Sequence, residues 1–229
     1  LLLFVNGKFR KFIHDAELKW YLWSVIGFTA FIAIVLYYNS SMGVEEAFRK
    51  SLFQVASLHT STGFATADYM TWPSVLWGTL TVIMIIGACA GSTTGGMKCI
   101  RLLILAKISR NEFKHITHPN AVLPVRVNKQ VISPSIRSTV LAFSFLYAVL
   151  IIVGTLAMMG MGVGLLESLG CTISSLGNMG PGLGLCGPAY SWNELPDMGK
   201  WLMSFFMLLG RLELFTVLLL FSSDFWKKN

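Results

Sequence analysis

Residues 174–182 read Ser174-Ser175-Leu176-Gly177-Asn178-Met179-Gly180-Pro181-Gly182, and 117 positions earlier stands Ser57-Leu58-His59-Thr60-Ser61-Thr62-Gly63. Ser57 falls on Ser174 and Gly63 on Gly180 without a gap, and upstream Ser51-Leu52 falls on Ser168-Leu169. Each stretch closes a short apolar segment, residues 44–59 in the first copy and 163–176 in the second. Neither reaches the roughly 20 residues that a bilayer crossing requires. Irregular backbone at membrane depth survives only where it is packed in protein or lines water. The pair therefore predicts two re-entrant helices, each ending in a glycine loop.

The surroundings of these stretches are those of a membrane protein. Of 229 residues, 54% are hydrophobic and 13% charged, with a mean hydropathy of +0.64. Soluble domains carry about 25% charged residues, and disorder requires low hydrophobicity with high net charge. Apolar runs predict spans over residues 20–38, 138–159 and 200–221. A fourth begins at Pro73 and is interrupted by Gly87-Ala88-Cys89-Ala90-Gly91-Ser92-Thr93-Thr94-Gly95-Gly96 before helical pattern resumes over residues 97–110. Four glycines in ten residues, each costing roughly 1 kcal/mol against alanine in a helix, break that span. Residues 111–134 hold Pro119, Pro124 and Pro134 and read as a loop. Met84-Ile85-Ile86-Gly87 also matches Met207-Leu208-Leu209-Gly210, at an offset of 123. The fold class is an all-α membrane protein of two tandem repeats: helix, re-entrant pore helix, filter loop, helix.

Charge placement orients it. Lys8, Arg10, Lys11 and Lys19 precede the first span, Lys227 and Lys228 follow the last, and eight Lys and Arg against Glu112 alone fill residues 98–137. Arg49, Lys50 and Lys200 stand against Glu45, Glu46, Asp68, Glu194 and Asp197 in the other connections. Lys and Arg concentrate in cytoplasmic loops, so both termini and the middle loop are expected in the cytoplasm, and the +7 formal charge does not point to nucleic acid. The resulting division is a lead-in (1–19), a first repeat (20–110), a basic linker (111–137) and a second repeat (138–229).

Short helices followed by glycine turns are the plan of potassium channels, where backbone carbonyls replace the hydration shell of the ion. The sequence resembles the Trk/Ktr/HKT superfamily of potassium transporters, and within it the bacterial TrkH subfamily. The resemblance is carried by residues 60–66, 91–98, 118–122 (His118-Pro119-Asn120-Ala121-Val122), 177–182 and Gly210-Arg211, and covers nearly the whole chain. Family members have four such repeats; these two look like the third and fourth, so the first two would have to come from a partner segment. The resemblance implies K+ uptake across the bacterial inner membrane, with K+ held by backbone carbonyls at Ser61, Thr62, Gly63, Asn178, Met179 and Gly180. No carboxylate sits inside either turn, as fast release of a hard cation requires. Neither copy has the TVGYG sequence of potassium channels, so weaker selectivity is expected, and a less selective K+/Na+ transporter or symporter of the same fold stays open.

In the resembled family the glycine-rich break is an intramembrane loop that obstructs the ion path and moves in gating. The implied gate is Gly87, Gly91, Ser92, Thr93, Thr94, Gly95, Gly96 and Arg211. Arg211 stands mid-span, where a charge costs at least about 2.5 kcal/mol and must face protein or water; a barrier to cations and a structural ion pair are its two readings. The family further implies a homodimer resting on a cytosolic, TrkA-like ring of nucleotide-binding subunits, offered here the basic loop 98–137.

Other motifs carry less. Gly91 to Lys98 misses a phosphate-binding loop by one inserted residue, and Gly182 to Gly187 matches GxGxxG only by letter, with Pro188 following. His115 and His118 are too few for a zinc site. Cys89, Cys99, Cys171 and Cys186 lack CxxC spacing and read as packing residues without a disulfide framework. Asp68, Glu45 and Glu46 either concentrate cations at the first outer mouth or are ordinary solvated charges. A membrane-embedded enzyme would require paired carboxylates or a His/Asp cluster within the spans, where only Glu167, Arg211 and Glu213 stand.

Overall fold

The computed structural model describes residues 15–40, 42–92, 94–121, 123–128, 130–212 and 214–220. The expectations on residues 1–14, Thr93, Val122, Lys129, Glu213 and Phe221, Lys227 and Lys228 of the tail lie outside the described residues. The first repeat is α1 (Ala16–Asn39), α2 (Val44–His59), a 3-10 turn (Tyr69–Thr71), α3 (Ser74–Ile85) and, after the break, α4 (Cys99–Thr117). The second is α5 (Pro134–Gly160), α6 (Leu165–Gly177), two 3-10 turns (Gly184–Cys186 and Trp192–Glu194), α7 (Asp197–Arg211) and α8 (Leu214–Leu220).

Local chemistry starts these helices where they start. The Asp15 carboxylate accepts from the amides of Glu17 (2.8 Å) and Leu18 (3.2 Å), which extends α1 four residues before the apolar run begins. Ser133 caps α5 with Pro134 in its first turn, where a missing N–H costs nothing. Proline also precedes α3 and α7, at Pro73 and Pro196.

α1 and α5 are the two described helices long and apolar enough to cross a bilayer. Only 17% of the apolar window of α1 and 28% of that of α5 is buried, while Trp23, Ile26, Ile34, Phe145, Ile152 and Leu156 are exposed. Apolar surface on this scale belongs against lipid. α6 is enclosed by α3, α5 and α7, while α2 buries one face against α1 and α3 and leaves Phe48, Leu52 and Phe53 exposed. Ile32 and Leu36 of α1, Val55 and Leu58 of α2, and Leu76, Leu80 and Ile83 of α3 share one core; Tyr147 and Met158 of α5, Leu176 of α6, and Met203, Phe206 and Leu209 of α7 share the second. Ile173, Met179 and Leu183 of the second repeat enter the first core and join the two.

Three sequence expectations change. The 111–134 loop is not wholly irregular: α4 continues to Thr117, and Arg126–Val127 pairs antiparallel with Gln130–Val131 in a two-residue hairpin. Proline at 119 ends the helix only at the residues before it, and Asn128 supplies the left-handed turn (φ +49°). The last span is not continuous, since α7 ends at Arg211 and α8 begins at Leu214. Third, Cys171 and Cys186 form a disulfide. They lie 15 positions apart, one in α6 and one in the 3-10 turn that folds back over it, so the pairing follows from tertiary approach and not from spacing.

Candidate functional site

The two glycine loops repeat in backbone detail. Ser61 and Asn178 are both left-handed with φ +53°, and two residues later Gly63 (φ +78°) and Gly180 (φ +101°) are positive as well. The amide of Ser61 donates to the carbonyl of Leu58 and that of Asn178 to Ser175, each at 3.1 Å. Thr62 donates to Ser57 at 2.9 Å, and Met179 to Ser174 at 3.1 Å. Both donors and both acceptors of these backbone bonds are thus matched 117 positions later in the other copy. A non-glycine residue resists the left-handed region by roughly 1–2 kcal/mol, so two such residues at equivalent positions mark a shared, imposed geometry. The loops also meet: a Cβ on Gly63 would overlap the Met179 carbonyl oxygen.

Partners at long range hold the second loop. The Asn178 side-chain amide donates to the Met207 carbonyl of α7 at 3.1 Å. The Trp192 indole donates to the Gly180 carbonyl at 3.1 Å, and the Tyr69 hydroxyl donates to the Gly182 carbonyl at 2.5 Å. Burial, with Asp68 beside it, raises the Tyr69 phenol above its ordinary range, which keeps it a donor. The Cys171–Cys186 bond ties the return of this loop to α6, where the Gly182 amide donates to the Cys186 carbonyl at 2.6 Å. In the first loop the Ser57 hydroxyl donates to the Phe64 carbonyl at 2.6 Å, and the Thr60 and Thr62 hydroxyls share a hydrogen bond of 2.6 Å. Tyr69 and Trp192 were not singled out from sequence for this site; their aromatic-donor chemistry was visible, but not their targets.

The glycine-rich break folds under the second loop. Ile86–Gly87 and Met97–Lys98 pair in parallel, closing residues 88–96 into a loop between α3 and α4. The Gly96 amide donates to the Leu176 carbonyl at 3.2 Å. A Cβ on Gly95 would stand 2.8 Å from the Gly177 carbonyl oxygen, one on Gly87 2.7 Å from that of Gly95, and one on Gly210 would overlap that of Leu176. Gly87, Gly95 and Gly96 are buried and Gly91 is exposed. Ser92 and Thr94 share a hydroxyl hydrogen bond of 2.6 Å. Arg211 lines one cavity of about 380 Å3 with Ser92, Thr94, Gly96, Lys98 and Arg101. The Arg101 guanidinium lies 3.8 Å over the Phe143 ring. The described residues of the expected gate, Arg211 included, are therefore gathered at the C-terminal end of α6, behind Asn178, except Gly91, where a Cβ would meet no atom within 4 Å.

Asp68 caps the 3-10 turn by accepting from Met70 at 2.9 Å, while Glu45 and Glu46 pair with Arg49 and Lys50 one helical turn on. These contacts favour the solvated-charge reading. Among the described residues no three His, Cys, Asp or Glu side chains cluster as a metal site would require.

Known proteins share this arrangement. The family profile for TrkH, described as a cation transport protein, matches residues 9–228. The Trk system potassium uptake protein TrkH of Halomonas elongata is 34% identical over 230 residues, covering 99% of this chain and 47% of that protein. TrkH of Escherichia coli K12 is 37% identical over 193 residues, covering 84% and 39%. The crystal structure of the potassium transporter TrkH from Vibrio parahaemolyticus superposes with a TM-score of 0.86 at 33% identity, over 93% of this chain and 45% of that one. The chain spans less than half the length of these relatives.

Proposed function

The chain belongs to the TrkH family of cation transport proteins, a membrane family of transporters and not of enzymes, and on that premise we propose that it supplies the third and fourth repeats (residues 20–110 and 138–229, joined by the basic linker 111–137) of a Trk-type potassium-uptake pore. K+ passes between the two loops, held by backbone carbonyls among Ser61, Thr62, Gly63, Asn178, Met179 and Gly180. The observation that carries this reading is the matched left-handed pair Ser61 and Asn178 with matched amide bonds behind it. Carbonyls set at equal heights by equal backbone geometry can replace a hydration shell. The Gly180 carbonyl is engaged by Trp192, which leaves Asn178 and Met179 as the principal ligands of the second copy.

The loop Gly87 to Gly96 with Arg211 is the gate: a glycine-rich flap beside a cavity lined by Lys98, Arg101 and Arg211. A partner segment supplies the first two repeats, and two such complete pores form a homodimer in the bacterial inner membrane on a TrkA-like nucleotide-binding ring, both termini cytoplasmic. A less selective K+/Na+ transporter or symporter is favoured by one observation, the short filter of three residues per copy without the TVGYG run.

The test is K+ flux through the full-length transporter in liposomes. Gly63→Ser is expected to reduce K+ preference over Na+, and Arg211→Ala to raise flux. Unchanged preference in the first removes these loops as the filter; unchanged flux in the second removes Arg211 from the gate.

A further inference from the structure

Four cationic side chains from two elements converge on one small cavity at the far end of α4. Lys107, Arg110 and Lys114 lie three and four positions apart, on one helix face. Arg126 faces them from the hairpin, and with Asn111, Pro124 and Val125 they line a cavity of about 300 Å3 that contains no carboxylate. Glu112, the acid of this helix, lines a different cavity. The wall is fixed in advance. Lys107 donates to the Arg126 carbonyl at 2.6 Å, Asn111 to the Leu123 carbonyl at 3.1 Å, and Ile132 to the Val125 carbonyl at 2.8 Å. Asn128 of the hairpin accepts from the Ala16 amide at 2.8 Å and donates to Asp15 at 3.0 Å, which clamps the hairpin to the first turn of α1.

Depth and surroundings indicate the occupant. The hairpin is clamped to Asp15 and Ala16, four residues before the apolar run of α1, and Ala16 and Trp20 pack with Leu103, Ile104 and Val127, which sets Lys107 and Arg126 level with the start of the first span, at the edge of the hydrocarbon core. A second cavity shares Arg110 and Lys114 and is walled by Phe113, Ala121 and Leu123. Phe113 and Ile116 are 71% and 76% exposed, a poor arrangement in water and a good one at a lipid interface. Basic pockets beside apolar walls on the cytoplasmic side of membrane helices suit anionic headgroups.

We propose that Lys107, Arg110, Lys114 and Arg126 form a site for the phosphate of an anionic phospholipid of the cytoplasmic leaflet, with Phe113 against its glycerol and upper acyl region. The proposal rests on the reading above that residues 111–137 face the cytoplasm. The regulatory ring would then meet the part of the linker beyond the headgroups, around His118 to Asn120.

The test measures retention of phosphatidylglycerol against phosphatidylcholine by the purified, delipidated full-length transporter, using native mass spectrometry. The wild type should prefer phosphatidylglycerol. Arg110→Gln with Lys114→Gln, which disturbs none of the three hydrogen bonds of the wall, should weaken that preference roughly tenfold or more, since each surface charge is worth roughly fivefold; adding Arg126→Gln should remove most of the rest. Unchanged preference in the double variant overturns the site. Equal displacement by millimolar inorganic phosphate makes it a free-anion site and overturns the lipid. Loss of ring binding with lipid preference intact makes it a protein-docking face and does the same. Labelling of Asn120→Cys by an impermeant thiol reagent in spheroplasts separately tests the orientation: reaction from outside overturns the topology on which the proposal rests.

Discussion

The α-carbon of Gly63 lies against the carbonyl oxygen of Met179, so that each glycine loop sets the position of the other. Gly180, at the equivalent place in the second copy, has no atom within 4 Å of where a Cβ would stand, though its φ of +101° is as foreign to a side chain. The repeat is symmetric in backbone and asymmetric in packing.

That asymmetry separates two substitutions. Gly180→Ala meets backbone strain alone, of about 1–2 kcal/mol. Gly63→Ala meets the same strain and displaces Met179. Both should lower K+ flux, with Gly63→Ala the more damaging by roughly tenfold, a difference of about 1.4 kcal/mol. Side-by-side liposome flux checks the order; equal effects would mean the loops do not bear on one another in the transporter.

Behind the second glycine loop, Gly210 and Gly95 both lie against the end of α6. A methyl at Gly210 has no room beside the Leu176 carbonyl and should push α7 from α6, lowering thermal stability in detergent as well as flux. Asn178→Ala, by contrast, creates no overlap: it loses the hydrogen bond to Met207, worth about 1 kcal/mol, and places alanine in left-handed backbone that asparagine tolerates better. It should leave the protein folded while changing K+/Na+ discrimination. A melting temperature that falls as far for Asn178→Ala as for Gly210→Ala would contradict this division.

Trp192 reaches the second glycine loop from the 3-10 turn Trp192–Glu194. Trp192→Phe keeps the ring and removes the N–H that engages the Gly180 carbonyl. The freed carbonyl can turn, so ion preference should shift by a few-fold, on the order of 1 kcal/mol, without loss of expression. Competition of Na+ with Rb+ uptake measures it; identical competition curves would assign Trp192 to packing alone.

Cys171 and Cys186 close a loop 15 positions long, and a cross-link of that length contributes about 3 kcal/mol in the chain-entropy account. Alkylation before and after reduction should reveal two additional reactive thiols only after reduction, beyond Cys89 and Cys99. Cys186→Ser should lower the melting temperature by several degrees. An unmodified melting temperature would show that packing alone holds the outer loop.

Much of this was legible in sequence because it is local or periodic. The pore helix α2 ends at His59 as its polarity and following Thr60-Ser61-Thr62-Gly63 require, and the break at residues 87–96 follows from glycine content. The end of α7 at Arg211 was hidden because residues 200–221 are predominantly apolar, and no proline or glycine run marks the interruption. The hairpin at Arg126–Val127 and Gln130–Val131 was hidden because strands of two residues leave no alternation to read.

The sequence by itself determined that this chain lives in a bilayer, that it is built twice, and where each copy turns, because run length, charge placement and a fixed offset are properties of the chain alone. Only the tertiary structure decided which groups hold the turns. Tyr69 and Gly182 are 113 positions apart, as are Asp15 and Asn128, and Cys171 finds Cys186 across a loop. A hydrogen bond or a disulfide depends on two groups arriving within a few ångströms at the right angle, and no local pattern encodes that meeting.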